Sequence, residues 1–314
     1  MRPYFKCQWL IVFSLGFMLS GWSPLLAMPN IPWSPPIESP ASDQSGIEAA
    51  LKDNTGRLSF AEMRLQQLAR KQSALLEGIE QRADLSEDTV LQQRVQELVA
   101  SYESLIASNP DFLLTYLVYG KLLRRVGQDQ RAYAIFRKAD ELDTTLPVVK
   151  QQLAALLAEN GQFEQALPFA LEAISLSPQT AVYHYQFAEL LYVYRDLFVE
   201  KGLFDRATLE SELIQAFDQA VSLDPYAYHY RLRRAKAYFH LESAQPDKAL
   251  AYWNAALPDA EPGLETEAIQ LHRADLMVDL GRRQEALAIA QGVTHSQLQF
   301  SRQQVLDKLS DLEE

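Results

Sequence analysis

Apolar residues between Leu58 and Ile79 fall at alternating steps of three and four: Leu58, Ala61, Leu65, Leu68, Leu75 and Ile79, with Gln72 taking one place in the series. A stripe with this period lies on one face of a helix, so the pattern predicts an amphipathic helix from about Leu58 to Arg82. The seam is about three heptads long, the shortest length that argues for a coiled coil. Two readings fit it: self-association through residues 58–79, or a helix that packs on the next element and caps it. Asp84 to Asp88 is a polar break, and from Thr89 onward the apolar pattern predicts successive helix pairs, ending in a capping helix over 297–314.

Those pairs repeat. Gly120, Ala154 and Ala188 are spaced 34 apart, as are Phe136 and Ala170, and Pro178 follows Pro110 by two such steps. A fixed period of this size marks stacked repeats, in which each unit buries its apolar face against its neighbours. The small residues Gly120, Ala154, Ala188, Ala235 and Ala274 sit where two helices must touch. Phe136, Phe217 and Trp253 fill the space between pairs. Gly127, Gly161 and Gly281 end first helices, where a left-handed residue is wanted. Pro110, Pro178 and Pro225 stop second helices.

With these positions in place, the chain resembles the tetratricopeptide repeat family. A partial unit over 89–112 carries Leu98, Tyr102, Leu105 and Pro110. Five full units follow over 113–296. The first reads Tyr116, Tyr119-Gly120, Leu123, Ala132 and Phe136, and the second Leu153-Ala154, Leu157, Ala166, Ala170 and Pro178. The third has Phe187-Ala188, Leu191, Leu213, Phe217 and Pro225; the fourth Ala235, Tyr238, Ala249 and Trp253; the fifth Ala274, Met277, Ala286 and Ala290. The resemblance implies an all-α fold, a right-handed α-solenoid of antiparallel helix pairs. The chain departs from the family in two ways. The large aromatic that opens a first helix is kept as Tyr116 but replaced by Lys150, His184, Arg231 and Gln270. The spacing also slips, from 34 to 47 between Ala188 and Ala235 and to 39 between Ala235 and Ala274.

The 13 extra residues of the first slip fall around Tyr194 to Glu212. Divided between two helices they add about two turns to each, which predicts an elongated hairpin turning near Gly202. Phe198, Val199, Leu203 and Phe204 would stand at its tip, either as a contact surface or packed on one another.

Before the helices, Arg2 and Lys6 precede the apolar run Trp9 to Met18, and Leu25-Leu26-Ala27 resembles a cleavage site. This is the layout of an export signal, and the 20 residues from Gln8 to Ala27 would equally serve as an uncleaved anchor. Either way the remainder is expected outside the cytoplasm, in the periplasm or cell envelope, with membrane contact only through residues 1–27. Residues 28–57 form a Pro/Ser-rich spacer.

Charge narrows the function. The chain carries a net −12 and no basic run, which excludes a nucleic-acid partner, because phosphate contacts need clustered Lys and Arg. Cys7 is the one cysteine and lies in the signal, so neither a disulfide framework nor a thiolate metal site is expected. His184, His229, His240, His272 and His295 show no helical metal spacing, and no phosphate loop or nucleophile elbow is present. No cofactor, metal or catalytic residue is expected, and the chain reads as a non-enzyme.

The candidate surface comes from the resemblance, which implies that the inner faces of the first helices line a concave groove. Tyr185, Glu189 and Tyr192 share one helical face. The same register gives Lys121, Arg124 and Arg125 in the first unit, His229, Lys236 and His240 in the fourth, and Asp275 and Asp279 in the fifth. Such a groove is basic and aromatic at its centre and suits a protein or peptide segment with acidic and apolar residues. The family's chaperone-tail clamp is not supported, since Leu117 and Val182 stand where two of its lysines would be.

Overall fold

The computed structural model describes residues 59–80 and 89–311. The export signal, the spacer, Leu58 and the polar break before Thr89 lie outside the described residues. Every regular element among the described residues is helical, and none of these helices is long and apolar enough to cross a membrane. The described chain divides into two compact units, 59–260 and 261–311.

The first unit is a stack of helix pairs. Helix α1 (Phe60–Glu80) pairs with α2 (Thr89–Ser108), α3 (Leu113–Arg125) with α4 (Asp129–Leu142), and α5 (Pro147–Glu159) with α6 (Phe163–Leu176). Next come α7 (Ala181–Val193), the short α8 (Arg195–Glu200) and α9 (Arg206–Leu223), then α10 (Tyr228–Phe239) with α11 (Pro246–Ala256). Each pair packs on the next through second helix against first: α4 on α5, α6 on α7, α9 on α10. In the second unit α12 (Leu264–Asp279) pairs with α13 (Arg283–Gly292), and α14 (Gln299–Ser310) packs on both. The expected all-α, tetratricopeptide-like pairing is therefore present.

The seam of α1 is covered within the chain. Leu65, Leu68, Gln72 and Leu75 are buried with Leu98, Tyr102 and Leu105 of α2, and the Tyr102 hydroxyl donates to Gln72 Oε1 at 2.8 Å. Gln72, odd in a coiled-coil seam, is there to receive that bond. So α1 and α2 together make the partial unit, and the face proposed for self-association is already occupied by the chain's own α2.

The repeat chemistry follows the spacing. Gly127, Gly161 and Gly281 have φ of 73°, 74° and 73°. In each case the next residue's N–H reaches back into the helix, as from Gln128 to Leu123 O at 2.8 Å and from Arg282 to Met277 O at 2.8 Å, closing a left-handed C-terminal cap. Phe136, Phe217 and Trp253 are fully buried, each contributing roughly 1.5–3 kcal/mol through the area it removes from water. At Gly120, a Cβ would lie 2.6 Å from Phe136 Cζ, so the α3–α4 approach requires glycine.

The retained aromatic and two of its replacements have a shared task. The Tyr116 hydroxyl donates to the Pro110 carbonyl at 2.8 Å, the His184 ring to Pro178 at 2.8 Å, and Arg231 to Pro225. In these three units the side chain six residues on satisfies the carbonyl of the proline that ended the previous helix. Lys150 has no such proline. It is buried between Asp140 of α4 and Glu172 of α6, 2.7 Å from a carboxylate oxygen of each.

The slip is asymmetric, which corrects the expected even lengthening of both helices. Helix α7 keeps 13 residues, and the chain breaks at Tyr194, whose ring stacks on Phe163 at 5.0 Å. The extra length goes into the six-residue α8 and into α9, which has 18 residues against 14 in α4 and α6. Phe198 is fully buried against Phe163 and Phe204; it is core, not an exposed tip. Val199 and Phe204 are half-buried, and Leu203 and Leu197 are exposed. At the start of α9, buried Glu210 accepts from Glu242 N at 3.0 Å and from Ser243 N and Oγ at 2.9 and 2.6 Å. The insertion thus packs backward on α6 and clamps the loop after α10.

Candidate functional site

The residues singled out on the first helices do not form one open basic strip. Tyr185 and Glu189 are buried. The Tyr185 ring meets Phe217 of α9 at 5.9 Å and Tyr230 of α10 at 4.7 Å, so its bulk holds three helices together. Its hydroxyl donates to Glu189, and burial pushes the phenol well above its usual range.

Glu189 is the centre of the arrangement. It receives Arg233 Nε at 2.5 Å and an Arg233 Nη at 3.0 Å, a two-pronged contact between α7 and α10. Burial pushes its carboxyl up, and the Arg233 guanidinium and the Tyr185 hydroxyl pull it back. Above this pair lies the half-buried Tyr192 ring, with the Arg233 guanidinium 4.2 Å and the Arg195 guanidinium 5.0 Å from its centre. Cation–π contact of this kind fixes a guanidinium plane while leaving edge hydrogens available. His240 is exposed at the end of α10. Partial desolvation of its ring, then the positive Arg195 and Arg233, holds it below its ordinary pKa.

The other singled-out residues divide. Arg124 is taken up within the stack, donating to Gln152 and Glu159 of α5 at 2.6 Å each. His229 is exposed, with its ring 5.8 Å from Tyr185 and 4.1 Å from Tyr230. Lys121, Arg125 and Lys236 are half-buried, and each has an interaction within the chain. In the second unit Asp275 and Asp279 both bind Lys308 of α14, at 2.7 and 2.6 Å. The expectation of a continuous basic groove is therefore corrected. Carboxylates of neighbouring helices neutralise Arg124 and Arg233, and what gathers is a local cluster around Tyr192.

Two members of that cluster, Arg195 and Arg233, were not singled out from sequence. Arg233 had a signal, since it lies three residues before Lys236 on the same helix. Arg195 had none, because it stands inside the slip where the 34-residue register stops.

The arrangement orients guanidiniums and rings, and the hydroxyl–carboxylate pair within it, Tyr185 and Glu189, is buried. Between α5, α6 and α7 a cleft lined by Ala154, Ala155, Ala158, Ala170 and Tyr183 offers about 10 Å³, room for about one water and far below a small-molecule site. Among the described residues no group of three or more His, Cys, Asp or Glu is placed to hold a metal ion.

The chain matches no family model and no curated protein. Among solved structures it is similar to PilF of Pseudomonas aeruginosa, with 12% identity, 77% of this chain and 99% of that one covered, and a TM-score of 0.49. It is similar to PilW, described as a widely conserved type IV pilus biogenesis factor, with 14% identity, coverage of 77% and 99%, and a TM-score of 0.49. It is also similar to YrrB, described as a TPR protein with an unusual peptide-binding site, with 16% identity, coverage of 60% and 89%, and a TM-score of 0.48. The fold assignment rests on the helix pairing of the chain itself.

Proposed function

We propose that this chain is a non-enzymatic protein–protein interaction module that binds an extended partner segment across its first helices, α3, α5, α7 and α10. The observation that carries the reading is the clustering of Tyr192, Arg195, Arg233 and His240 at the α7–α8–α10 junction. Tyrosine and arginine combine contact area with directed polar groups, which is why they dominate binding hot spots. A helix-pair stack positions such residues on rigid elements, so little ordering entropy opposes binding. The layout of residues 1–27 supports a place in the periplasm or cell envelope, reached by export, either released or tethered.

The test is affinity enrichment from the native cell envelope with the full chain and with a Lys121→Glu/Arg195→Glu variant. The reading expects an unchanged unfolding midpoint and loss of the partner enriched by the parent chain. Undiminished enrichment of that partner by the folded variant sinks it.

A further inference from the structure

The insertion at the end of α7 brings a guanidinium to a place where the regular repeat has none. Arg195 donates one Nη hydrogen to Tyr192 O at 3.1 Å. Its nearest carboxylate, Asp196, is 3.9 Å away and is itself held by Arg206 at 2.7 Å. Most of the Arg195 donor capacity is therefore unmatched by protein acceptors, while 30% of its side-chain surface is exposed. Arg233 gives Nε and one Nη to Glu189 and keeps 20% of its side chain exposed. Both guanidiniums lie over one ring, and both act on His240. Two guanidiniums thus meet over Tyr192, with Glu189 paired to Arg233 and Asp196 drawn to Arg206, in a chain whose net charge is −12.

We infer that Arg195 and Arg233, set over Tyr192, receive a side-chain carboxylate from an acidic partner segment. This rests on the binding-module reading and names the chemistry of its partner. The guanidinium fork matches a carboxylate in spacing and plane. Partial burial lowers the local dielectric, so the contact counts for more than a surface ion pair. A side-chain carboxylate is favoured over a chain terminus by the site's position. First helices α3 and α5 precede the cluster in the stack and α10 forms part of it, so a segment lying along this face meets Arg195 and Arg233 beside its length.

The experiment uses the full chain with 15N-labelled arginine side chains. Capped glutamate (N-acetyl, N-methylamide) is titrated against capped glutamine at constant ionic strength, while the Nε–Hε signals of Arg195 and Arg233 are followed. The expected result is a saturable shift at these two arginines, with capped glutamate binding at least tenfold more tightly than capped glutamine. Arg195→Gln removes that preference at an unchanged unfolding midpoint, and Arg195→Lys retains part of it. Equal response to the two probes, or a response confined to other arginines, overturns the inference. Tighter binding of inorganic phosphate reassigns the site to a phosphorylated segment, and tighter binding of N-acetylalanine with its free carboxylate reassigns it to a chain terminus; either result overturns the side-chain carboxylate. If the probes fail while Lys121→Glu/Arg195→Glu still abolishes partner enrichment, the carboxylate assignment falls and the module reading stands. If the probes bind while enrichment is unaffected by that variant, the module reading falls instead.

Discussion

Glu189 and Arg233 are 44 residues apart and form a two-pronged ion pair, with Arg233 Nε at 2.5 Å and an Nη at 3.0 Å from the two carboxylate oxygens. The pair joins α7 to α10 across the insertion, and Tyr192 covers it. Removing one partner strands the other charge away from water. Arg233→Met is expected to cost about 3 kcal/mol, the lower end for a broken buried pair because Arg233 keeps some solvent contact. Glu189→Leu/Arg233→Met restores much of the loss. Urea unfolding at pH 7 measures both; additive losses in the double variant would show that the two residues do not act as a pair.

Gly120 sets how closely α3 and α4 approach. Gly120→Ala drives a methyl group into Phe136, whose Cζ and Cε1 would lie 2.6 and 2.7 Å away. Overpacking of this kind is expected to cost roughly 1–3 kcal/mol. Adding Phe136→Leu should recover part of it by making room. A fully stable Gly120→Ala chain would mean that the helices separate at no cost.

Leu68 decides between the two uses of the α1 seam. It is fully buried on the first unit's core, so Leu68→Ala is expected to lose about 2–5 kcal/mol and to make the segment between α1 and α2 more sensitive to protease. If the seam served a second copy instead, the same change would alter molecular mass by light scattering and leave the unfolding midpoint of the separated chain unchanged.

His240 makes stability depend on pH. Its pKa in the folded chain lies below the ordinary 6.5 through partial desolvation and through Arg195 and Arg233. The unfolded chain therefore takes up a proton first as pH falls, and stability present above 6.5 declines as pH drops through the folded value. The urea midpoint should fall between pH 7.5 and 5.5 by more in the parent chain than in His240→Gln. Identical falls in the two would remove His240 from the cluster.

The fold was legible because its signals are local and repeated. Small residues at Gly120, Ala154 and Ala188 recur at 34 residues, and the caps at Gly127, Gly161 and Gly281 close the first helices α3, α5 and α12. The division of the insertion was not legible. Its break comes from Tyr194, whose ring stacks on Phe163 and whose hydroxyl donates to the Ala158 carbonyl at 2.5 Å, contacts that spacing does not report. Within the site, Tyr192 was read from its helical face. Placing Tyr185 in an open groove missed the rings of Phe217 and Tyr230, which bury it from two later helices. Arg195 sits where the period fails, so no register pointed to it.

The binding-module account is tested most directly by photo-crosslinking in living cells. A photoreactive residue replaces Val193, exposed beside Tyr192, and in a second variant Leu171, exposed on the second helix α6. The account predicts a discrete partner adduct from position 193 that disappears when Arg195→Glu is added, and none from position 171. An adduct from 171 with none from 193, or one from 193 that Arg195→Glu leaves intact, would contradict it.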